Sequence, residues 1–281
     1  MKILVTGGKG MLGTDLCDSL KDYHELIIKD HEMDVRDTKL VLDTVSQLNP
    51  DIIIHLAAQT NVDGCETKIE EAYQINVVGT KNIALACNKL DIPMVYISTA
   101  HVFDGLKTGF YNEFDEPAPI SIYAKSKYYG ELMVTSLLKK YYILRAGWMF
   151  GGGKEDKKFV AKIIDIAKTK GEISAVIDEL GTPTYTVDLA KQIAYLFENQ
   201  LYGTYHAGNL GGCTRYDFAK KILEFAGLEN VKIIPVKIES FNLPAKRPPN
   251  QIMGNYMLDL MNINKMRPWE EALKEYIEGI R

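Results

Sequence analysis

Cysteine is scarce in this chain. Four of 281 residues, Cys17, Cys65, Cys87 and Cys213, stand far apart with no C-x-x-C pair. A disulfide framework or thiolate metal site is therefore not expected, and reduced cytosolic thiols are the simpler reading. The five histidines are scattered and form no H-E-x-x-H pair. No apolar run approaches the ~20 residues that a membrane-spanning helix needs. Positive charge is not in excess: 33 lysines and arginines face 37 acids, a net charge of −4. The electrostatic footprint of a nucleic-acid binder is missing. The first residues, "MKILVTGG", run straight into a strand without a signal-peptide pattern, so the cytoplasm is the expected compartment. No internal repeat or low-complexity tract is present.

What is present is alternation. The runs "KILVTGG", "HELIIKD", "PDIIIHLAA", "IPMVYIS" and "YYILRAG" are short and apolar throughout. Between them lie stretches with helical spacing: "MLGTDLCDSL", "TKLVLDTVSQL", one long helix over "KIEEAYQINVVGTKNIALACNKL", and "SIYAKSKYYGELMVTSLLKK". Apolar strands alternating with helices predict an α/β fold, a doubly wound parallel sheet of the Rossmann type covered on both faces. After about residue 150 the rhythm changes. "GGGKEDKK" reads as a loop, three further helices follow, "VKIIPV" is a short strand, "NLPAKRPPN" is irregular, and "RPWEEALKEYI" closes the chain as a helix. We expect a nucleotide-binding domain over 1–150 that the chain re-enters around 174–206. The rest of 151–281 is expected to form a smaller substrate-binding lobe.

"VTGGKGMLG" links the first strand to the first helix. It parses as Gly8-x-Gly10-x-x-Gly13 or as Gly7-x-x-Gly10-x-x-Gly13. Either way the glycines let backbone approach a pyrophosphate at a helix N-terminus, where free N–H groups and the dipole favour anions. Asp30 ends the second strand, the place for a carboxylate on the adenosine ribose. An acid there repels a 2′-phosphate and favours NADH over NADPH, while Lys29 beside it leaves NADPH open.

Tyr123 and Lys127 stand four apart and share one helical face. A phenol has an ordinary pKa near ~10. A neighbouring ammonium lowers it, making a proton donor and acceptor useful near neutral pH. Tyr216 and Lys220 show the same spacing but follow no strand-end hydroxyl, and read as an ordinary amphipathic face. In "VYISTAHVFDG" the fourth strand stops at Ser98-Thr99, as a strand does where the chain turns out toward a ligand.

The glycine loop, "LAAQT", Asn76, "ISTAHVFDG", "YAKSK" and "GTPT" occur in the order seen in extended short-chain dehydrogenase/reductases. Within these the chain resembles the dTDP-4-dehydrorhamnose reductase family, through "VFDG", "YAKSKYYGE", "RAGWMFG", "GTPTYTVDLA" and "PWEEALKEY". The resemblance spans nearly the whole length. It implies a nicotinamide cofactor whose diphosphate is held by Gly7, Gly10, Met11, Leu12 and Gly13. Asp34 and Val35 would lie near adenine, and Ala57, Ala58 and Thr60 along the cofactor. Lys127 would also bond the nicotinamide ribose, with Ser98 near the nicotinamide. Asn76 is counted with the cofactor-binding residues, as are Tyr123 and Lys127, and would hold a water or backbone group behind Lys127, unless it simply faces solvent.

The implied reaction is reduction of a 4-keto sugar nucleotide, with Tyr123, Lys127 and Thr99 as the catalytic residues. Thr99, Ala100, Trp148, Thr184 and Arg247 are the implied substrate contacts, Arg247 at the nucleotide diphosphate. Trp148 and Thr184 also admit plainer readings, a core indole and a loop-shaping hydroxyl. The family often has Asp-Tyr after the Thr, where this chain has Ala100-His101. An Asp at 100 is expected to project toward the pocket mouth; His101 is read as packing. Dehydratases of related sugar nucleotides carry Asp-Glu there, so dehydration is disfavoured. The family usually continues with Ser after Asn250, where this chain has Gln251. A non-catalytic cofactor-binding subunit, resembling the regulatory subunit of methionine adenosyltransferase, is the alternative function. The sequence does not specify the oligomer, and a homodimer is kept as a candidate.

Overall fold

A computed structural model describes residues 1–153, 156 and 158–280. Part of the loop read over "GGGKEDKK", residues 154, 155 and 157, lies outside the described residues.

The chain opens with β1 (Lys2–Thr6), α1 (Met11–Leu20), β2 (Glu25–Lys29), α2 (Thr38–Leu48) and β3 (Ile52–His55). It continues through α3 (Val62–Thr67), α4 (Ile69–Tyr73), a π-helical turn (Gln74–Gly79) and α5 (Thr80–Leu90). Then come β4 (Met94–Thr99), a 3₁₀ turn (Ala100–Val102), α6 (Ile122–Leu137) and β5 (Tyr141–Ala146). The second half holds β6 (Met149–Phe150), α7 (Phe159–Lys170), β7 (Glu172–Val176), β8 (Leu180–Gly181), β9 (Thr184–Tyr185), α8 (Thr186–Glu198) and β10 (Gly203–His206). It ends with β11 (Cys213–Thr214), α9 (Arg215–Ala226), β12 (Lys232–Val236), β13 (Asn250–Gln251), α10 (Tyr256–Leu260) and α11 (Trp269–Ile280).

Six strands form the main sheet in the order β10-β5-β4-β3-β1-β2, every neighbouring pair parallel. The fold is α/β and doubly wound. Apolar residues on both faces of β1, β3, β4 and β5 explain it, since only helices on each side bury them all. One face packs Leu12, Leu16 and Leu20 of α1 with Leu189, Ile193 and Leu196 of α8. The other packs Val41 and Val45 of α2 with Ile83 and Cys87 of α5 and Val134 of α6. A separate core lies in the second half, where Phe150, Val160, Phe218, Ile222, Trp269 and Leu273 gather α7, α9 and α11. The sheet order reverses between β1 and β3, and ligands of open α/β sheets bind in the crevice at the carboxyl ends of such strands.

The long helix expected over residues 68–90 is interrupted. The π-helical turn places Asn76 inward, and its carbonyl accepts from Thr80 Oγ1 at 2.7 Å. Such bulges spoil regular 3.6-residue spacing without breaking the helical path. β6, β8, β9, β11 and β13 are two residues each, too short to show alternation in a sequence.

Helix α6 lies close on β4. A Cβ built on Gly130 would overlap the Tyr96 hydroxyl and come within 2.8 Å of the Asn76 carbonyl oxygen. Gly130→Ala gains up to about 1 kcal/mol of helix propensity. Overpacking against a fixed carbonyl costs roughly 1–3 kcal/mol. The second effect wins, so chemical denaturation of Gly130→Ala should show a net loss of stability; an unchanged or raised midpoint would refute this packing.

Candidate active site

A cleft of about 1250 Å³ runs from the carboxyl ends of β1, β2 and β3, past the end of β4, to α7 and α9. Single ligand sites are commonly ~300–1,000 Å³, so this one has room for two ligands side by side.

The first half is built by β1, β2 and β3. Gly7 has φ +67°, and a Cβ there would sit 2.7 Å from the Ala57 backbone nitrogen. The loop after β1 thus lies directly on the loop after β3. At the start of α1, Gly10 offers no side-chain cap and the first turn has no acid. The leading N–H groups of α1 are left to meet an anion. Gly7, Gly10, Met11, Leu12, Gly13, Asp30, Asp34, Val35, Ala57, Ala58 and Thr60 all line this half. Asp34 is bridged by Arg36, 2.6 Å away, which holds the Asp34 carboxyl below its ordinary value.

Ser98, Thr99, Tyr123, Lys127, Trp148 and Arg247 line the remainder. Ser121 caps α6 by accepting from Ala124 N at 3.2 Å, and Glu66 accepts from Ile122 N at 2.8 Å. These bonds fix the turn that carries Tyr123. Burial pushes the Tyr123 phenol up to about 12, and a hydrogen bond with Thr99 pulls the other way. At neutral pH the tyrosine is therefore protonated, as a proton donor must be.

Lys127, 4 % exposed, is pushed down to about 7 by burial, against the opposing pull of the Glu131 carboxylate. Its Nζ lies 4.0 Å from the centre of the Tyr96 ring. This corrects the expected direction of influence: Thr99, not Lys127, moderates the phenol here. Glu131 in turn is held by a buried two-point pair with Arg145, at 3.0 and 2.7 Å. Its charge is shared with that guanidinium, and the face of the Tyr96 ring adds to what compensation Glu131 gives Lys127.

Three expected site residues do not reach the cleft. Asn76 is fully buried: its Oδ1 accepts from Gln59 N at 2.8 Å, and its Nδ2 donates to Gln59 O at 3.1 Å and Ser126 Oγ at 2.9 Å. With both amide groups spent, it ties the loop after β3 to the helix of Tyr123 and touches no ligand space. It does not face solvent either. Ala100 is fully buried, because the 3₁₀ turn after β4 directs it toward Gly147. An Asp there would enter packed interior rather than the pocket mouth, so the expected hydrated carboxylate is wrong. Thr184 is fully buried in β9, paired with Met149 of β6.

His101 does line the cleft, its ring edge-on to Tyr123 with centroids 5.8 Å apart. Burial, reinforced by Arg215 and Arg247, pushes it down to about 3, so it is neutral at physiological pH. Arg247 is bound at both ends to Asp63, each contact 2.6 Å, and donates to the Ala245 carbonyl at 2.6 Å. Arg215, Glu131 and Arg145 went unnoticed in the sequence. Arg215 directly precedes the Tyr216 pair set aside as a surface face, and no local pattern marks it. Glu131 stands one turn beyond Lys127, the signal that could have found it.

What meets the crevice is a proton donor rather than a nucleophile, beside backbone shaped for a dinucleotide; the protein is of the short-chain dehydrogenase/reductase class. Within that class it belongs to the family described as RmlD substrate binding domain, whose profile it matches over residues 1–281. Spore coat polysaccharide biosynthesis protein SpsK of Bacillus subtilis is 37% identical over 99% of this chain and 97% of its own. A dTDP-4-dehydrorhamnose reductase of Mycolicibacterium smegmatis is 31% identical over 99% of this chain and 86% of its own. The crystal structure of a dTDP-4-dehydrorhamnose reductase from Clostridium acetobutylicum is similar with TM-score 0.96 and 40% identity, covering 100% of this chain and 99% of that one. One from Bacillus anthracis, solved in complex with NADP, is similar with TM-score 0.95 and 39% identity, covering 99% of each.

The low pKa of Lys127 has a consequence for folding. Between about 7 and its ordinary 10.5 the unfolded chain binds this proton and the folded one does not. Stability therefore rises with pH across that window. Wild type measured against Lys127→Met by denaturant unfolding should gain relative stability from pH 7 to 10.5; a flat difference would contradict the burial argument.

Proposed function

We propose that the protein reduces the C4 ketone of a nucleotide-linked 4-keto-6-deoxy sugar, with dTDP-4-dehydrorhamnose giving dTDP-rhamnose as the first candidate. The observation that carries this reading is the pairing of Thr99 at the end of β4 with Tyr123, whose phenol burial keeps protonated, both lining the cleft where its two halves meet. The names of the relatives supply the substrate.

The glycine loop and the uncapped start of α1 fit a dinucleotide diphosphate, and the unpartnered Ser98 hydroxyl lies on the cleft beyond them. A nicotinamide cofactor held there would supply hydride to the sugar C4. Thr99 orients the carbonyl oxygen by hydrogen bonding. Tyr123 gives that oxygen its proton as negative charge develops there, completing the alcohol. Lys127 stays close to its own titration point at neutral pH, so it can return a proton toward the phenolate. Asn76 and Ser126 act one layer behind, since Ser126 Oγ donates to the Tyr123 carbonyl at 2.8 Å. They hold the angle of α6 and touch no reactant.

Both nicotinamide cofactors are candidates, and Asp30 tilts the choice to NADH by repelling a 2′-phosphate. We place the cofactor domain over 1–150 together with α8 and β10, and the substrate lobe around α7, α9 and α11. None of the described helices is long and apolar enough to cross a membrane, and the cytoplasm is the proposed compartment. The alternative of a non-catalytic subunit has no observation in its favour, because Thr99, Tyr123 and Lys127 all face the cleft.

Two experiments test this reading. Oxidation of NADH or NADPH should follow addition of dTDP-4-dehydrorhamnose. Tyr123→Phe should cut kcat by about 10²–10⁴-fold with cofactor affinity retained, whereas Tyr216→Phe should leave turnover nearly intact. Equal losses in the two variants would refute the choice of Tyr123. By calorimetry NADH should bind more tightly than NADPH, and Asp30→Ala should narrow the gap; equal affinities in the wild type would remove Asp30 as the selector.

A further inference from the structure

The cleft beyond Tyr123 holds two arginines in different states. Arg247, the cation expected from sequence at the substrate diphosphate, is already claimed. Both its terminal nitrogens bond Asp63 at 2.6 Å, and one also bonds the Ala245 carbonyl. A guanidinium with a two-point carboxylate partner has its charge compensated and its geometry fixed. It ties residues 245–247 to α3.

Arg215, the first residue of α9, is held otherwise. Its guanidinium carbon lies 3.6 Å from the centre of the Trp148 ring and 4.8 Å from that of Phe159. Its carboxylate neighbour, Glu179, stands 3.8 Å from Nε, with Oε1 of that carboxylate accepting from Gln251 Nε2 at 2.8 Å. Aromatic rings bind the flat faces of the cation and leave its N–H edge for oxygen ligands. Beside it, the Trp148 indole N–H is buried with no partner. Trp148 also has φ +35°, a conformation costly for a non-glycine residue and common at ligand sites. Both side chains line the cleft.

We infer that Arg215, seated on Trp148, is the cation that receives the diphosphate of the sugar nucleotide, with the Trp148 indole N–H as a second donor, and that Arg247 is a tether. This rests on the reductase reading above and names the residue that would secure its substrate. A diphosphate carries oxygens at the spacing of a guanidinium edge and regains, in a partly desolvated site, the charge pairing that Glu179 supplies only at long range.

The test is calorimetric titration of wild type, Arg215→Gln and Arg215→Lys with dTDP and with thymidine, folding being checked by circular dichroism. Wild type should bind dTDP more tightly than thymidine. Arg215→Gln should lose tenfold or more for dTDP, stay within about twofold for thymidine, and keep its NAD(P)H affinity. Arg215→Lys should recover part of the loss. In turnover, Arg215→Gln should raise KM for the keto sugar more than it lowers kcat. Unchanged dTDP affinity in Arg215→Gln, or an equal loss for thymidine, overturns this assignment while leaving the reductase reading intact. Failure of the wild type to bind dTDP at all overturns both.

Discussion

The close seat of α6 on β4 is the constraint on which the site depends. Gly130 lets the helix approach the sheet, and the Tyr96 hydroxyl bonds the Lys127 carbonyl at 3.1 Å across the contact. One turn earlier the same approach brings Tyr123 to Thr99 at the strand end. It also forces Lys127 out of water and onto the Tyr96 ring. Desolvation is the larger influence there, and Glu131 offsets only part of it. An ammonium that would be inert in solvent is thereby tuned to exchange protons near neutral pH. Packing and chemistry have one cause in this region.

Charge is distributed to match such a site. The chain carries a net −4, yet among the described residues the cleft is lined by seven lysines and arginines against four acids. A pocket of that sign inside an acidic protein attracts anions and focuses the field on the cleft. Both partners of the proposed reaction, a dinucleotide and a sugar nucleotide, carry diphosphates. The two halves meet that charge by different means: backbone N–H groups at the start of α1 in one, and the Trp148-backed Arg215 in the other.

Much of the fold was legible because its signals are local. Apolar runs alternate with helical spacing, and a glycine loop between the first strand and helix places the crevice. Tyr123 and Lys127 are found by their spacing together with a strand-end hydroxyl before them. What escaped depends on contacts distant in sequence. Arg145 meets Glu131 across a strand and a helix, Asp63 meets Arg247 across most of the chain, and Arg215 meets Trp148 only when the second lobe folds back. Ala100 departs from expectation for another reason. It follows Thr99 in sequence, but the 3₁₀ turn rotates it away from the cleft and into the packing around Gly147. Asn76 does hold a backbone group, that of Gln59, as expected, but it is no cofactor contact: the π-helical turn that aims it there leaves no trace in the residue pattern.

The central claim is that this cleft performs a ketone reduction with Tyr123 as the acid. Cofactor deuterated at nicotinamide C4, incubated with the enzyme and dTDP-4-dehydrorhamnose in ordinary water, tests it most directly when the product is read by NMR. The account predicts one deuterium at sugar C4 for each cofactor oxidised when the transferring face is labelled, with the new hydroxyl proton drawn from solvent. Retention of all label on the cofactor, with the sugar unchanged under conditions where both ligands bind, would contradict it.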